Sequence, residues 1–265
     1  AFSETTDLIA IGAPLDWLQE REEAGDFLMV RSTGAEDSKK LANAGGNLSR
    51  AYVRSTPKEV LEAAGSVVAS YFGEKSLQNR INSQINPFNE PLQLAVTMQK
   101  VIGEPIGGAK KTSLIPVSFV VFTNEPLFIG NEQFRIMRIS ASYGHGEGVV
   151  GNKGIATDTI FLLLSLSEPD KLYILYQNQK KASRLVPVEE DGKIFLKKIK
   201  NPKYLAKQRA LNDRMLAQIY RSAFIMESFH EGEPTDIEGV VQDGVVYFVQ
   251  ARPIIRKPLL PTFLR

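Results

Sequence analysis

The chain has no cysteine, a single tryptophan and only two histidines among its 265 residues. Without cysteine there is no disulfide and no thiolate metal site, which suits the expected cytoplasmic location. The histidines, His145 and His230, stand in no metal-ligand spacing, and no Ser-His-Asp grouping points to a hydrolase. Charge of one sign is also missing. Lys and Arg number 32 against 30 Asp and Glu, a net charge of +2. Such balance argues against nucleic acid and against an acidic membrane as partners. No long apolar run occurs: Ile160–Leu164, with Leu166 beyond one serine, is far short of the roughly 20 residues a membrane span needs. The start, Ala1-Phe2-Ser3-Glu4, has neither a basic segment nor an apolar one, so no signal peptide is visible. It also lacks Met, which fits processing or excision. There is no repeat and no low-complexity tract. What remains is a 43% hydrophobic chain, long enough for one large domain or two lobes around a sizeable core.

The first part alternates helix and strand signals. Thr56-Pro57-Lys58-Glu59 is a capping box with Pro at the first helical position. The helix after it places Val60, Leu61, Ala64, Val67, Val68 and Tyr71 on one stripe. A second helix is expected over Glu74–Ile85 and a strand over Leu92–Val101. Gly103–Lys111, with Pro105, reads as a flexible connection between lobes. The second part is strand-rich: Val117–Thr123, Phe134–Ser140, Thr159–Leu164, Leu172–Gln177, Arg184–Val188 and Ile194–Lys197, with a turn at Asp191-Gly192. One long helix is expected from about Tyr204 to Ser228, burying Leu205, Leu211, Met215, Ile219, Ala223 and Met226. Lys197, Lys198, Lys200 and Lys203 read as a solvated basic loop.

The most informative stretch lies near the C-terminus. Asp236–Val241 and Val245–Ala251 are rich in Val, Ile, Tyr and Phe, and Asp243-Gly244 marks a turn between them. Register decides what the hairpin can do. With Gln242-Asp243-Gly244 as a three-residue loop, Val241 faces Val245, Glu238 faces Phe248 and Asp236 faces Gln250. Asp236, Glu238, Gln250 and Arg252 then share one side of the ribbon, because side chains alternate with period two. A two-residue turn is expected to split them. Two carboxylates, an amide and a guanidinium on one face can hold a divalent cation and a polyphosphate: oxygen donors suit Mg²⁺, and Arg suits phosphate. The bland alternative is a half-exposed strand with surface carboxylates.

A second cluster points the same way. The apolar run Asp26–Val30 ends in Arg31-Ser32-Thr33, followed by Glu36-Asp37-Ser38 and Ala44-Gly45-Gly46. A strand that delivers an Arg into a loop of small residues can cradle phosphate, since backbone N–H groups approach the anion there. Gly-Gly after a loop is also an ordinary turn, and Arg31 could be an ordinary salt-bridge residue.

Together the two clusters resemble the ATP-binding, ATP-grasp-like domain of the phosphoenolpyruvate synthase and pyruvate phosphate dikinase family. Val30-Arg31-Ser32-Thr33 with Glu36-Asp37-Ser38 is similar to its Val-Arg-Ser-Ser…Glu-Asp segment. Ala44-Gly45-Gly46 falls at its phosphate loop, and Met98–Ile102 resembles its nucleotide-hinge strand. Val120–Pro126 matches its Val-x-Phe-Thr segment, and Ser140–Glu147 its Gly-x-Gly-Glu turn. His230–Pro234 leads into Asp236-Ile237-Glu238 and Gln250-Ala251-Arg252-Pro253, its closing signature. The matches run in family order from about Val30 to Pro253. The chain departs from the pattern at Phe119, where the family has Gly, and at His145, where it has an apolar residue.

The resemblance implies an α+β fold, ATP-grasp-like, of two lobes with a nucleotide cleft between them, the second lobe β-rich. The expected domains are a partial first lobe over 1–110, a second lobe over 111–256 and a tail or linker over 257–265. It implies ATP and Mg²⁺ as cofactors. Gln99 and Val101 would flank the adenine, and Gly45 and Gly46 the phosphates. Glu147 would act near the ribose or the reaction, or merely cap the next element. Glu238 and Gln250 would hold the metal, Arg31 and Arg252 would neutralise phosphate charge, and Asp236 would orient its neighbours. The implied partner is a phosphohistidine domain, in cis or in trans, with no nucleic acid and no membrane. The family's upstream subdomain contributes a Lys to ATP, yet the roughly thirty residues before Arg31 contain none. The expectation is therefore a shortened or excised piece, or one partner of a split system. Two other readings stand beside it: a scaffold module without catalysis of its own, and the ATP domain of a related antibiotic or glucan phosphotransferase. An unrelated ATP-grasp ligase is disfavoured by the Gln-Ala-Arg-Pro signature.

Overall fold

The computed structural model describes residues 15–34, 46–82, 84, 86, 94–128, 131–151, 153–168 and 170–254. Helix and strand are both present, and the named sheets are antiparallel throughout, so the class is α+β. Contacts divide the chain into residues 1–101 and 102–265. The Gly-rich segment Gly103–Lys111 lies within the second unit.

The first unit begins with helix α1 (15–23). Strands β1 (Phe27–Gly34), β2 (Ser49–Arg54) and β3 (Leu94–Lys100) form a sheet in the order β2-β1-β3. Helix α2 (Pro57–Ser70) starts as its sequence demands: Thr56 Oγ1 accepts from the Glu59 N–H at 3.3 Å, and Pro57 opens the first turn. The box is not reciprocal, because Glu59 Oε2 accepts from the Arg54 N–H instead. Val60, Ala63 and Val67 are buried against Leu28 and Val30 of β1 and Leu18 of α1. The stripe thus runs 60, 63, 67 rather than through Leu61, which is 72% exposed. A helix stripe advances by three or four residues, so adjacent apolar positions cannot both face the sheet. Helix α3 covers Glu74–Asn82, and the rest of its expected span and the first residues of the expected strand before Leu94 fall largely outside the described residues. Its Arg80 is buried, with the guanidinium stacked 3.6 Å from the Tyr71 ring centroid.

The second unit is built on a six-stranded sheet of order β11-β10-β4-β5-β6-β7. Its strands are β4 (Val117–Phe122), β5 (Phe134–Tyr143), β6 (Asp158–Ser165), β7 (Leu172–Gln177), β10 (Thr235–Gln242) and β11 (Val245–Pro253). One face is the core. Phe119, Val121, Met137, Ile139, Ile160, Leu162, Ile237 and Val241 pack there against Leu216, Ile219 and Ala223 of helix α5 (Asp213–Phe229). Helix α5 starts later than the expected Tyr204. Asn212 caps it, its side chain accepting from the Met215 N–H at 2.9 Å, so Leu205 is buried from a separate 3-10 turn (Leu205–Lys207) and Leu211 from the residues just before the cap. A separate hairpin pairs β8 (Ser183–Glu190) with β9 (Lys193–Lys200) across the expected Asp191-Gly192 turn. Lys197, Lys198 and Lys200 therefore lie on a strand, not in a loop. Pairing with β8 over Ser183–Glu190 makes the run a strand, in which Ile194, Leu196 and Ile199 are half-buried and the lysines are exposed. No helix among the described residues is long and apolar enough to cross a membrane.

Two buried ion pairs brace this unit. Lys181 Nζ lies 2.5 Å from Asp158 Oδ1, with neither side chain exposed. Arg184 Nε lies 3.3 Å from Glu104 Oε1, and Glu104 also accepts from the Ala109 N–H at 3.0 Å, pinning the Gly-rich segment. Burial pushes the Glu104 carboxyl up, against the opposing pull of that N–H and of Arg184.

Candidate functional site

The hairpin departs from its expected register and still assembles the expected group. Gln242 faces Val245, so the connection is the two-residue Asp243-Gly244 turn. Both residues have positive φ, 52° and 77°, which an Asp-Gly type I′ turn requires. The three-residue loop is thereby corrected, and so are the pairs Glu238–Phe248 and Asp236–Gln250. A β-bulge restores the phase. Gly239 faces Phe248 but Glu238 faces Gln250, leaving Val249 as the extra residue. Beyond the bulge Asp236 faces Arg252. Directly opposed residues point to the same side, so Asp236, Glu238, Gln250 and Arg252 share one face. Phe248 and Ala251 both turn to the core, which an unbroken strand could not achieve.

Gly239 makes the bulge possible. A Cβ there would strike the Phe119 ring and lie 2.6 Å from the Tyr247 carbonyl oxygen. The ring thus occupies the space that a side chain would need, and only glycine lets Phe119 pack across β10.

Within the group, Arg252 is held by Asp236. Its Nε and Nη2 donate to Asp236 Oδ2 at 3.0 and 2.8 Å. The other carboxylate oxygen, Oδ1, is buried and takes no hydrogen bond among the described residues. A buried carboxylate oxygen in that state calls for a cation or a donor. Glu238 and Gln250, both half-buried, supply a carboxylate and an amide on the next cross-strand row. These are hard oxygen donors of the kind Mg²⁺ takes. No cluster of three or more metal-ligating side chains occurs among the described residues.

The sheet extends the face beyond the hairpin. Asp236 pairs with Phe122 and Phe122 with Arg138; Glu238 pairs with Val120 and Val120 with Ser140. Arg138 had drawn no attention in the sequence, and Ser140 only as the start of the Gly-x-Gly-Glu segment, although the period-two pattern about buried Ile139 was the available signal. At the turn end of the face, the Gly103 N–H donates to Gln242 Oε1 at 2.9 Å.

The first unit carries Arg31, Gln99 and Val101. Arg31 pairs with Thr97 and Met29 with Gln99, so Arg31 and Gln99 lie on the β-sheet face opposite Leu28 and Val30. Both are half-buried. The Val101 N–H donates to the Phe27 carbonyl at 2.8 Å, so that donor is already used within the unit. Gly45 lies outside the described residues. Gly46 stands in a turn, and the next residue, Asn47, donates to Ser32 Oγ at 3.3 Å and accepts from Ser76 Oγ at 2.8 Å.

Glu147 is exposed and opens the short helix α4 (Glu147–Val150). Its N–H donates to His145 Nδ1 at 3.1 Å. Burial pulls the His145 imidazole down to about 4, so the ring is neutral at pH 7 and can serve as that acceptor. Gly144, at φ 91°, is required just before it, since a Cβ would lie 2.7 Å from the Leu185 carbonyl oxygen. The turn is therefore held by β8 from below, through the Gly144–Leu185 bridge and the His145 N–H to Leu185 O bond at 3.0 Å.

The structure is an α+β chain with two carboxylates, an amide and a guanidinium on one antiparallel face. Residues 10–259 match the family model described as pyruvate phosphate dikinase, AMP/ATP-binding domain, and the chain belongs to that family. It is 27% identical over 244 residues to a probable phosphoenolpyruvate synthase of Archaeoglobus fulgidus, covering 91% of this chain and 29% of that protein. Against an uncharacterized phosphotransferase of Bacillus subtilis it is 26% identical over 227 residues, covering 85% of this chain and 24% of the other. The chloroplastic alpha-glucan water dikinase of Solanum tuberosum matches over 68 residues at 37% identity, 26% of this chain and 4% of the enzyme. The chain thus spans less than a third of the length of these relatives.

Proposed function

We propose that this chain is the nucleotide-binding part of a dikinase-type phosphotransferase of ATP-grasp-like fold, using MgATP to phosphorylate a histidine on a separate domain. The phosphoryl group then passes to pyruvate or another acceptor. The observation that carries the proposal is the shared face of Asp236, Glu238, Gln250 and Arg252, in a chain of the dikinase ATP-binding family. In this reading Glu238 and Gln250 hold the metal, and Asp236 fixes the Arg252 guanidinium while offering Oδ1 to a cation. Arg252 and Arg31 bind phosphate oxygens, Gly45 and Gly46 bring backbone N–H groups to the anion, and Gln99 and Val101 flank the adenine. Glu147 lies near the ribose or the reacting end. Magnesium, when bound, supplies charge neutralisation on the phosphate oxygens. The protein's own part is positioning: fixed cations and oxygen donors that need no rearrangement as charge shifts during transfer.

Titration calorimetry of the chain with ATP tests this. Heat is expected at millimolar ATP with Mg²⁺ and is expected to vanish with EDTA. No heat and no thermal shift at saturating MgATP would support the scaffold reading instead.

A further inference from the structure

The site-bearing face has a second guanidinium that the family signature does not include. Arg138 stands on β5 in the cross-strand row Arg252–Asp236–Phe122–Arg138. The guanidinium carbon sits 4.6 Å from the Phe122 ring centroid while Nη1 reaches Ser140 of its own strand, so the head lies between β5 and β4. Arg252 leans inward from the other side, with its head on Asp236 of β10. Neighbouring strands lie about 4.8 Å apart, so the two heads flank a gap of about 10 Å on one face.

The Arg138 head is held for a purpose beyond packing. Its Nε is paired with the buried carboxylate of Glu125, and Nη1 donates to Ser140 Oγ at 3.1 Å. Nη2 makes no hydrogen bond among the described residues, and the side chain keeps 29% of its surface exposed. Arg135, ion-paired to Glu227, packed 4.7 Å from the Phe224 ring and bonded to the Thr123 carbonyl, is similarly held but stands on the face opposite Asp236. A fixed fork with a donor still pointing to solvent is how Arg presents itself to phosphate.

We infer that Arg138 and Arg252 form a pair of cations that grips the terminal phosphate of the bound polyphosphate, Arg138 being an additional binding residue of the site. The choice of phosphate follows from charge. From Gln242 to Asp236 the strand runs about 20 Å, and the Arg138 row at its far end brings two guanidiniums together, which suits the terminal phosphate because it carries the most charge. The inference rests on the nucleotide reading only for the identity of the anion.

The test compares Arg138→Gln with the parent chain in calorimetric titrations with MgATP, AMP and magnesium tripolyphosphate. Thermal midpoints without ligand, including Glu125→Gln as a second variant, measure what the ion pair contributes to folding alone. The expected result is at least a tenfold loss of affinity for MgATP and for tripolyphosphate in Arg138→Gln, with AMP affinity changed less than twofold. Glu125→Gln, which keeps the guanidinium, is expected to retain ATP affinity within about threefold. Equal losses for ATP and AMP, or an Arg138→Gln variant that binds ATP like the parent, overturn the role of Arg138 and leave the nucleotide reading standing. A parent that binds tripolyphosphate but neither nucleotide, with the loss still present in Arg138→Gln, overturns the nucleotide reading and supports the cation pair. A parent that binds none of the three overturns both.

Discussion

Replacing Glu238 by Gln is expected to remove magnesium-dependent ATP binding by about 100-fold or more while leaving stability within about 0.5 kcal/mol. The two halves of that expectation have separate physical causes. Gln keeps the length and shape of Glu but not its charge, and a divalent cation in this site draws its affinity from charged oxygen donors. Loss of even an outer partner of a metal ligand costs 10–100-fold, so loss of the ligand's own charge belongs at or above the top of that range. Stability is spared because Glu238 is half-buried on the face away from the α5 core, where substitutions cost little. Asp236→Asn is expected to be milder for metal and worse for phosphate, since Asp236 Oδ2 takes both Arg252 donors. Titration of each variant with ATP in Mg²⁺ and in EDTA, beside urea unfolding, separates the effects. Unchanged magnesium-dependent affinity in Glu238→Gln would mean that the hairpin does not hold the metal.

The largest effect on folding is expected at Lys181. Lys181→Met is predicted to cost about 3–5 kcal/mol, the range for breaking a buried ion pair from one side. The ammonium meets Asp158 Oδ1, Asn178 Oδ1 at 2.9 Å and the Gln179 carbonyl at 2.8 Å. Asp158 also accepts from the Gln179 N–H, the Tyr176 hydroxyl and the Ala210 N–H. Burial above all pushes the Tyr176 hydroxyl up, so it remains a donor to that carboxylate. The knot ties β6 and β7 to the segments before β8 and before α5, which are also joined by the Lys181 N–H to Ala206 carbonyl bond at 2.9 Å. Without the ammonium the carboxylate is buried and uncompensated. Because whole domains are stable by only about 5–15 kcal/mol, such a loss moves the urea midpoint far. Asp158→Asn combined with Lys181→Met is expected to recover part of it. A single-variant loss under about 1 kcal/mol would show that water or rearrangement reaches the pair.

How much of this was legible in the chain itself depended on whether the signal was local. The start of α2 was legible because Thr56 and Pro57 act within one turn. The strands of the second unit were legible because apolar alternation is imposed residue by residue. The start of α5 was misjudged because Leu205 belongs to a separate 3-10 turn over Leu205–Lys207 and Leu211 precedes the cap; tertiary packing, not the periodicity of one helix, put them inside. The basic run at Lys197 was misread for the same reason, its partner strand β8 being needed to make β9 a strand. The hairpin is the sharpest case. Asp236, Glu238, Gln250 and Arg252 were expected on one face through a three-residue loop, and they share it instead through a two-residue turn and a bulge. The bulge at Val249 depends on Gly239 yielding its side-chain space to Phe119, a contact 120 residues away along the chain. Arg138 escaped notice because its place beside Asp236 exists only through the pairing of β10, β4 and β5.

The central claim is that the face bearing Glu238 and Gln250 binds a metal together with ATP. Paramagnetic relaxation tests it most directly, with Mn²⁺ in place of Mg²⁺ and the amide signals of the labelled chain as reporters. With ATP present, broadening is predicted to be strongest at Glu238 and Gln250, to spread along β10, β11 and β4, and to disappear in Glu238→Gln. Broadening centred elsewhere, or a chain that binds ATP and Mn²⁺ with the β10 and β11 signals intact, would contradict the account.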